Sequence, residues 1–376
     1  MKYLCLILFA FSACAGQISI GVVASSYLTA TPAGSATDTR KSQLTIPHGQ
    51  VSAGQTNFPL YISAPCLPAE MVTTSGTHAA QADGGDIRFT SDSAGINGLH
   101  AEIVFFHQDA TPANATAEIW VLMPSISASA PDTSIYVWYH PATPGQTQPA
   151  ATDATWGSQG VWSNYLLVWH PGDGTDLNLT DSTGTHTLTN GGTIIADSGG
   201  IGGSATFIGD LNVDNQITIT PTTDLQLASG SIQWGMQLWL KTVNNGAYHS
   251  IIGCQQCGIS SYPRATCMAL VGSNNATWRV TGLSSATWMA FAGQFYGNGP
   301  TYSMYLNGTP AGATFSDTGP NEDTGFYGFS YFGYNGSLSE VRIYKGYTLP
   351  ATWFAAEYTN QNTPTSFVTA GTPSNP

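Results

Sequence analysis

From Arg40 onward apolar and polar residues alternate with a period of two, the pattern of half-buried strands rather than helices. In LHAEIVF, Leu99, Ala101, Ile103 and Phe105 fall on one face, with His100 and Glu102 on the other. In SIYVWYH, Ile135, Val137 and Tyr139 share a face opposite Tyr136 and Trp138, so this strand is apolar on both sides and belongs inside a sheet. Asn-Gly pairs beginning at 97, 190, 245, 298, 307 and 335 supply turn residues that tolerate positive φ. Strands and turns at that spacing predict an all-β chain of two β-sandwich, jelly-roll-like domains. One segment breaks the pattern. Thr348-Leu349-Pro350 makes a helix start and Phe354 and Tyr358 then stack at i,i+4, predicting one short C-terminal helix.

Two stretches carry no strand pattern. Residues 16–38 are small and polar, and 142–160 are rich in proline, so both read as linkers. The expected domains are therefore 39–141 and 161–371, followed by a loose tail at 372–376. Residues 1–15, MKYLCLILFAFSACA, have one lysine, a short apolar run and small residues, as a signal peptide does. Two cleavage readings remain open: Ala13-Cys14-Ala15 suits ordinary signal peptidase, and Phe11-Ser12-Ala13-Cys14 loosely suits a lipobox that would place a lipid anchor on Cys14. Either way an exported protein is expected, secreted or at the cell surface.

Charge narrows the partners. The net charge is −13, with 9 Lys+Arg against 22 Asp+Glu, and Arg40-Lys41 is the longest basic run. Nucleic acid and anionic membrane surfaces, which need clustered Lys and Arg, are poor partners; uncharged glycans or cell-surface ligands suit the chain better. No segment beyond the N-terminus is apolar enough to act as a transmembrane span.

Catalytic chemistry is sparse. A retaining glycosidase needs two carboxyl groups about 5 Å apart, and a jelly-roll strand would supply them as Glu-x-Asp-x-x-Glu, which is missing here. Glu340 stands two residues before Arg342, which points to a local ion pair, and Glu357 belongs to the C-terminal helix, away from any concave face. There is no Gly-x-Ser-x-Gly, His-Glu-x-x-His or phosphate-binding glycine loop. No catalytic residues are therefore assigned. Cys254, Cys257 and Cys267 allow a redox pair, three zinc ligands completed by His249, or a disulfide. If IIGC and CMALV form a hairpin, Cys254 and Cys267 face one another, which favours a Cys254–Cys267 disulfide and leaves Cys257 unexplained. Trp239 and Trp288 have apolar neighbours on their own face and read as core. Aromatics in turn-rich segments are the ligand-stacking candidates: Tyr262, Tyr296, Tyr302, Tyr331 and Tyr334. The alternative for each is packing at a strand end.

Several segments carry a family resemblance. RKSQLTIPHGQVSAGQTNFPLYIS, GGDIRFTSDSAG, LHAEIVFF, AEIWVLMPSIS and DTSIYVWYHP resemble a bacterial domain of unknown function that commonly precedes lectin-like domains. YLLVWH, DSTGTHTLTNGGT, SIQWGMQLWLKT, YSMYLNG, SEVRIYKG and WFAAEYTNQNTPTSF resemble a laminin-G-like, concanavalin A-like lectin/glucanase sandwich. Two positions depart from the pattern: His140 stands where glycine usually ends the IYVWY strand, and Ser339 replaces the usual Asp before Glu340. The resemblance implies carbohydrate binding and a calcium site on the sandwich rim, for which Asp173, Asp176, Asp181, Asp210 and Asp214 are the candidate ligands. It leaves a structural or adhesive surface protein with protein partners, and a glycan-active hydrolase or lyase, as the other readings.

Overall fold

The computed structural model describes residues 38–208 and 334–376 continuously; between them it describes 215–220, 222–225, 227, 232–243, 249–254, 258–261, 267–271, 277–281, 286–296, 301–312, 315–316 and 326–329. The signal peptide, Cys14 and the 16–38 linker up to residue 37 lie outside that set, as do Cys257, Tyr262, Tyr331, Asp210 and Asp214. The chain is all-β. None of the described helices is long and apolar enough to cross a membrane.

The first sandwich contains β1 (Asp38–Ile46), β2 (Gln55–Ser63), β3 (Arg88–Thr90), β4 (Ala101–His107), β5 (Thr116–Ile126) and β6 (Thr133–Pro141). One layer has the order β2-β5-β4; in the other, β6 lies between β1 and β3. Ile135, Val137 and Tyr139 all enter the core between the layers, as the alternation of SIYVWYH predicts. The LHAEIVF prediction is corrected at its end. A bulge between Ile103 and Phe105 shifts the pairing with β5, so Phe106 rather than Phe105 is buried in the core. His140 has φ 57, a conformation that glycine adopts without strain, and its N–H is held by Asp86 Oδ2 at 2.9 Å.

The second sandwich is larger. One sheet contains β9 (Ile194–Asp197), β10 (Ser204–Phe207), β12 (Trp234–Thr242), β17 (Met289–Phe295), β18 (Thr301–Leu306), β19 (Thr309–Pro310) and β22 (Gly336–Lys345), with β7 (Leu167–Trp169) paired to β22 and β20 (Phe315–Ser316) to β18. The facing sheet runs β16 (Thr277–Thr281), β15 (Cys267–Val271), β14 (Gly258–Ser261), β13 (His249–Cys254), β21 (Phe326–Phe329), β11 (Ile217–Ile219) and β8 (Leu188–Asn190). Trp169, Phe207, Trp234, Phe291, Phe329 and Val341 fill the space between them. The hairpin expected of IIGC and CMALV is not formed. β14 lies between β13 and β15, pairing with both, so Cys254 and Cys267 do not face each other across a ladder. Their strands are two positions apart in the sheet, twice the interstrand spacing of about 4.8 Å, so the hairpin on which that disulfide reading rested is replaced by a three-strand meander.

The chain end departs most from the domain boundaries expected. The C-terminal helix forms as predicted: α2 (Ala351–Asn362) starts after Pro350, beyond the single-turn α1 (Ser158–Val161) and before the single-turn α3 (Pro364–Phe367). Its residues, however, join the first core. Trp353 packs edge-on against Phe58 at 5.0 Å, and Phe367 stacks on the same ring at 6.2 Å. β23 (Thr369–Ala370) then adds to β1 as an outer strand of the first sandwich. The tail is not loose: Lys41 and Ser374 exchange backbone hydrogen bonds of 3.0 and 2.9 Å. Nor is 142–160 a free linker, since Gln146 and Thr147 carbonyls accept from Gln81 and Arg88, and Trp156 is largely buried.

Candidate functional site at the junction of the sandwiches

The two sandwiches meet through the outer face of the β2-β5-β4 sheet and the outer face of the large sheet around β12 and β22. Alternation explains the first surface. Ala117, Ile119 and Val121 of β5 enter their own core, so Glu118 and Trp120 point the other way. The second surface depends on a bulge. Gln237 pairs with Arg342 but Trp239 pairs with Ser339, leaving an extra residue in β22. Glu340 is in that bulge with φ 53, which lets Leu338 and Val341 both enter the core while Ser339, Glu340 and Arg342 face the junction. Ser339, in the place of the usual aspartate, accepts the Ile201 N–H and donates to the Ile201 carbonyl, both at 3.1 Å. β7 runs beside β22 with Val341 opposite Trp169, so His170 comes level with Glu340.

A buried charge network results. His170, wholly buried, bonds through Nδ1 to Glu340 Oε1 and contacts Glu118 Oε1 at 2.9 Å; its Nε2 faces Glu102 Oε2 at 3.4 Å. Arg342 donates to Glu340 Oε2 at 2.8 Å and to Glu357 Oε1, with its guanidinium over the Trp120 ring at 4.3 Å and the Trp162 ring at 4.9 Å. Trp120 Nε1 donates to Glu118 at 3.0 Å, and Trp162 Nε1 donates to Glu102. Gln237, in the amide orientation that satisfies both groups, donates to Glu357 at 3.0 Å. Around this network Tyr61, Trp120, Trp162, Val168, Ile201 and Trp239 form an apolar seam. Trp239 is thus buried between the sandwiches rather than in its own core, stacked on Tyr358 at 5.7 Å.

Four carboxyl groups here face one imidazole and one guanidinium, and buried charge of one sign is costly. Protons relieve the excess. Burial and the Glu340 charge push the Glu118 carboxyl up to about 8. Burial pushes Glu357 up to about 7, against the Arg342 charge. Burial would also raise Glu340, but the charges of His170 and Arg342 outweigh it and hold that carboxyl at about 2. The proton of the Glu118–Glu340 pair therefore sits on Glu118, because Glu340 is the partner bonded to Arg342. Burial disfavours the charged form of His170, yet Glu340, Glu102 and Glu118 together raise it well above its ordinary value. Glu118, His170 and Glu340 also offer ligand atoms within 4.8 Å of one another, the one such group among the described residues. Direct imidazole–carboxylate bonds, with Trp120 and Arg342 donating to the same carboxylates, already engage Glu118 Oε1 and both Glu340 oxygens.

Those of the residues chosen from sequence that are described fall elsewhere. Tyr302 and Tyr334 are corrected from ligand-facing to core: Tyr302 packs on Phe295 at 4.9 Å, and Tyr334 is fully buried with its hydroxyl donating to the Lys241 and Ser337 carbonyls. Tyr296 is half-buried, its hydroxyl bonded to Gln294 and Ser303. Among the proposed calcium ligands, Asp181 is buried and takes hydrogen bonds from Val168, Thr183, Thr185 and His186. Asp173 accepts from Thr175 and pairs with His107 Nε2 at 2.8 Å, and Asp176 is exposed. Among the described residues Asp173, Asp176 and Asp181 do not come together as a ligand group, and Asp210 and Asp214 lie outside that set. Glu357 is likewise not remote: it is a buried member of the junction. Glu118 and His170 escaped sequence reasoning, although a lone glutamate inside the apolar run AEIWVLM was a visible signal of a paired buried charge.

An open pocket lies beside this network, between the start of β2, the turn after α1 and the chain leading into α2. It measures about 260 Å³ and is lined by Thr56, Asn57, Asn164, Tyr165, Tyr347 and Trp353, with no charged side chain.

No protein-family model matches the chain, and no curated protein matches it. Among solved structures it is similar to the binding domain of botulinum neurotoxin DC in complex with rat synaptotagmin II (13% identity, TM-score 0.41, 53% of this chain and 52% of that one). A botulinum neurotoxin type C structure, described as dependent for cell entry on two ganglioside molecules, is 11% identical with TM-score 0.42 over 53% and 51% of the two chains. The binding domain of Paraclostridial Mosquitocidal Protein 1 is 10% identical with TM-score 0.40 over 53% and 52%. The chain spans about half the length of each.

Proposed function

We propose that this is an exported carbohydrate- or surface-binding protein whose second, lectin-like sandwich recognises a ligand without chemical turnover. The observation that carries this reading is the state of Glu340. Its carboxylate is 2% exposed and bonded on one oxygen to His170 and on the other to Arg342. A glycosidase acid or nucleophile has to reach the sugar; this one is closed inside a buried ion-pair network. Low charge and an acidic surface favour a neutral ligand. The decisive experiment is a glycan array probed with the full chain, run with calcium and again with chelator, beside an assay for release of new reducing ends. Specific binding without release supports the proposal, whereas release that persists in Glu340→Gln would point to an enzyme with another site.

A second reading, a rigid spacer with protein partners, is favoured by the closure of the chain end onto β1. A blank array from folded protein would promote it.

A further inference from the structure

We infer that the pocket between the two sandwiches is a subsite for a single uncharged pyranose ring. This deepens the recognition reading above and rests on it. At about 260 Å³ the pocket lies just under the roughly 300–1,000 Å³ of sites that hold drug-sized ligands, which suits one ring of a longer glycan.

Its walls are fixed from three directions. Tyr347 donates its hydroxyl to the Asn164 carbonyl at 2.7 Å and stacks on Tyr344 at 5.0 Å, while Tyr344 meets Tyr165 edge-on at 6.3 Å. Tyr165 and Tyr347 are both half-buried, and Trp353, 5% exposed, forms the floor. Half-covered aromatic rings held by their neighbours present a preformed apolar face, which is what the C–H side of a pyranose stacks on.

The polar groups are amides. Asn57 and Asn164 are exposed at the rim, and each amide offers both donors and an acceptor to vicinal hydroxyls. Asn57 owes its place to backbone chemistry. It has φ 54 and stands opposite Pro124 in the β2–β5 ladder, where proline has no N–H to give. That local break turns the Asn57 side chain out of the strand pattern and toward the pocket. The lining has no carboxylate or cationic side chain to compensate a charged sugar, so acidic glycans are disfavoured.

The test uses the full chain and a panel of neutral disaccharides (maltose, cellobiose, lactose, mannobiose and chitobiose), followed by saturation-transfer NMR and calorimetry. Thr56→Trp fills the pocket from an exposed strand position, and Asn164→Ala removes one amide. Both should leave the circular dichroism spectrum and Tm unchanged while lowering affinity about tenfold or more, the equivalent of one well-placed polar contact. A disaccharide that binds wild type and both variants equally would overturn the subsite and leave recognition standing elsewhere. Silence from every sugar and from the array would overturn both.

Discussion

Asn360 satisfies both polar groups of Tyr61 across nearly the whole chain: the Tyr61 N–H donates to its Oδ1 at 2.7 Å, and its Nδ2 donates to the Tyr61 carbonyl at 2.9 Å. β2 is the edge of its layer, and a free edge strand exposes unpaired backbone. A single fully buried side chain from α2 covers that edge and welds the end of the chain to the first sandwich. Asn360→Ala leaves two buried backbone groups without partners, each costing about 1–3 kcal/mol. The expected result is a matching fall in unfolding free energy by urea denaturation, with Asn360→Asp recovering only the acceptor half. Wild-type stability in Asn360→Ala would show that Tyr61 finds other partners.

Glu340 and Glu118 should respond differently to the same chemical change. Glu340→Gln removes the negative partner of His170 and Arg342 and should destabilise the protein by about 3–5 kcal/mol, as breaking one side of a buried pair does. Glu118 already carries a proton at neutral pH, so glutamine closely resembles its resident form, and Glu118→Gln should cost less than about 1 kcal/mol at pH 6. Equal losses in the two variants would contradict the placement of the shared proton.

Stability should fall on the alkaline side. Glu118 and Glu357 are raised in the folded state to about 8 and about 7, so their contribution is fully present below the unfolded value of 4.5 and is lost as pH rises through those figures. The raised His170 acts in the same direction, its contribution being present below 6.5 and lost as pH climbs through its folded value. Glu340 acts oppositely, with stability present above 4.5 and lost as pH falls through about 2. Each fully coupled group contributes a slope of about 1.4 kcal/mol per pH unit within its window. Urea midpoints at pH 5, 7 and 9 should therefore decline. Glu118→Gln should flatten the decline, which separates the junction from general repulsion among the surface acids.

Gly202 should tolerate no side chain. It has φ 71, and a Cβ there would lie 2.0 Å from Glu118 Oε2. Gly202→Ala combines backbone strain with a clash against the junction, and a loss of about 1–3 kcal/mol is expected. Gly49→Ala, where a Cβ meets nothing within 4 Å and φ is ordinary, should be neutral or stabilising by about 0.4–1 kcal/mol. Differential scanning fluorimetry on the pair checks both.

Local pattern determined much by itself. Period-two alternation is a property of neighbouring residues, so the all-β class, the inward set Ile135, Val137 and Tyr139, and the Glu340–Arg342 pair were all readable before any fold existed. The helix after Pro350 was readable for the same reason. Tertiary structure alone decided what sequence distance hides. Cys254 and Cys267 looked like hairpin partners, but the intervening GISS stretch formed a strand of its own, and pairing order belongs to the sheet. Tyr302 and Tyr334 sit in turn-rich sequence yet complete the core, because burial depends on what packs opposite. The meeting of Glu118, His170, Glu340 and Glu357 required the bulge in β22 and the docking of one sandwich on another. A bulge exchanges the faces of every residue beyond it, and no period written along the chain records where one falls.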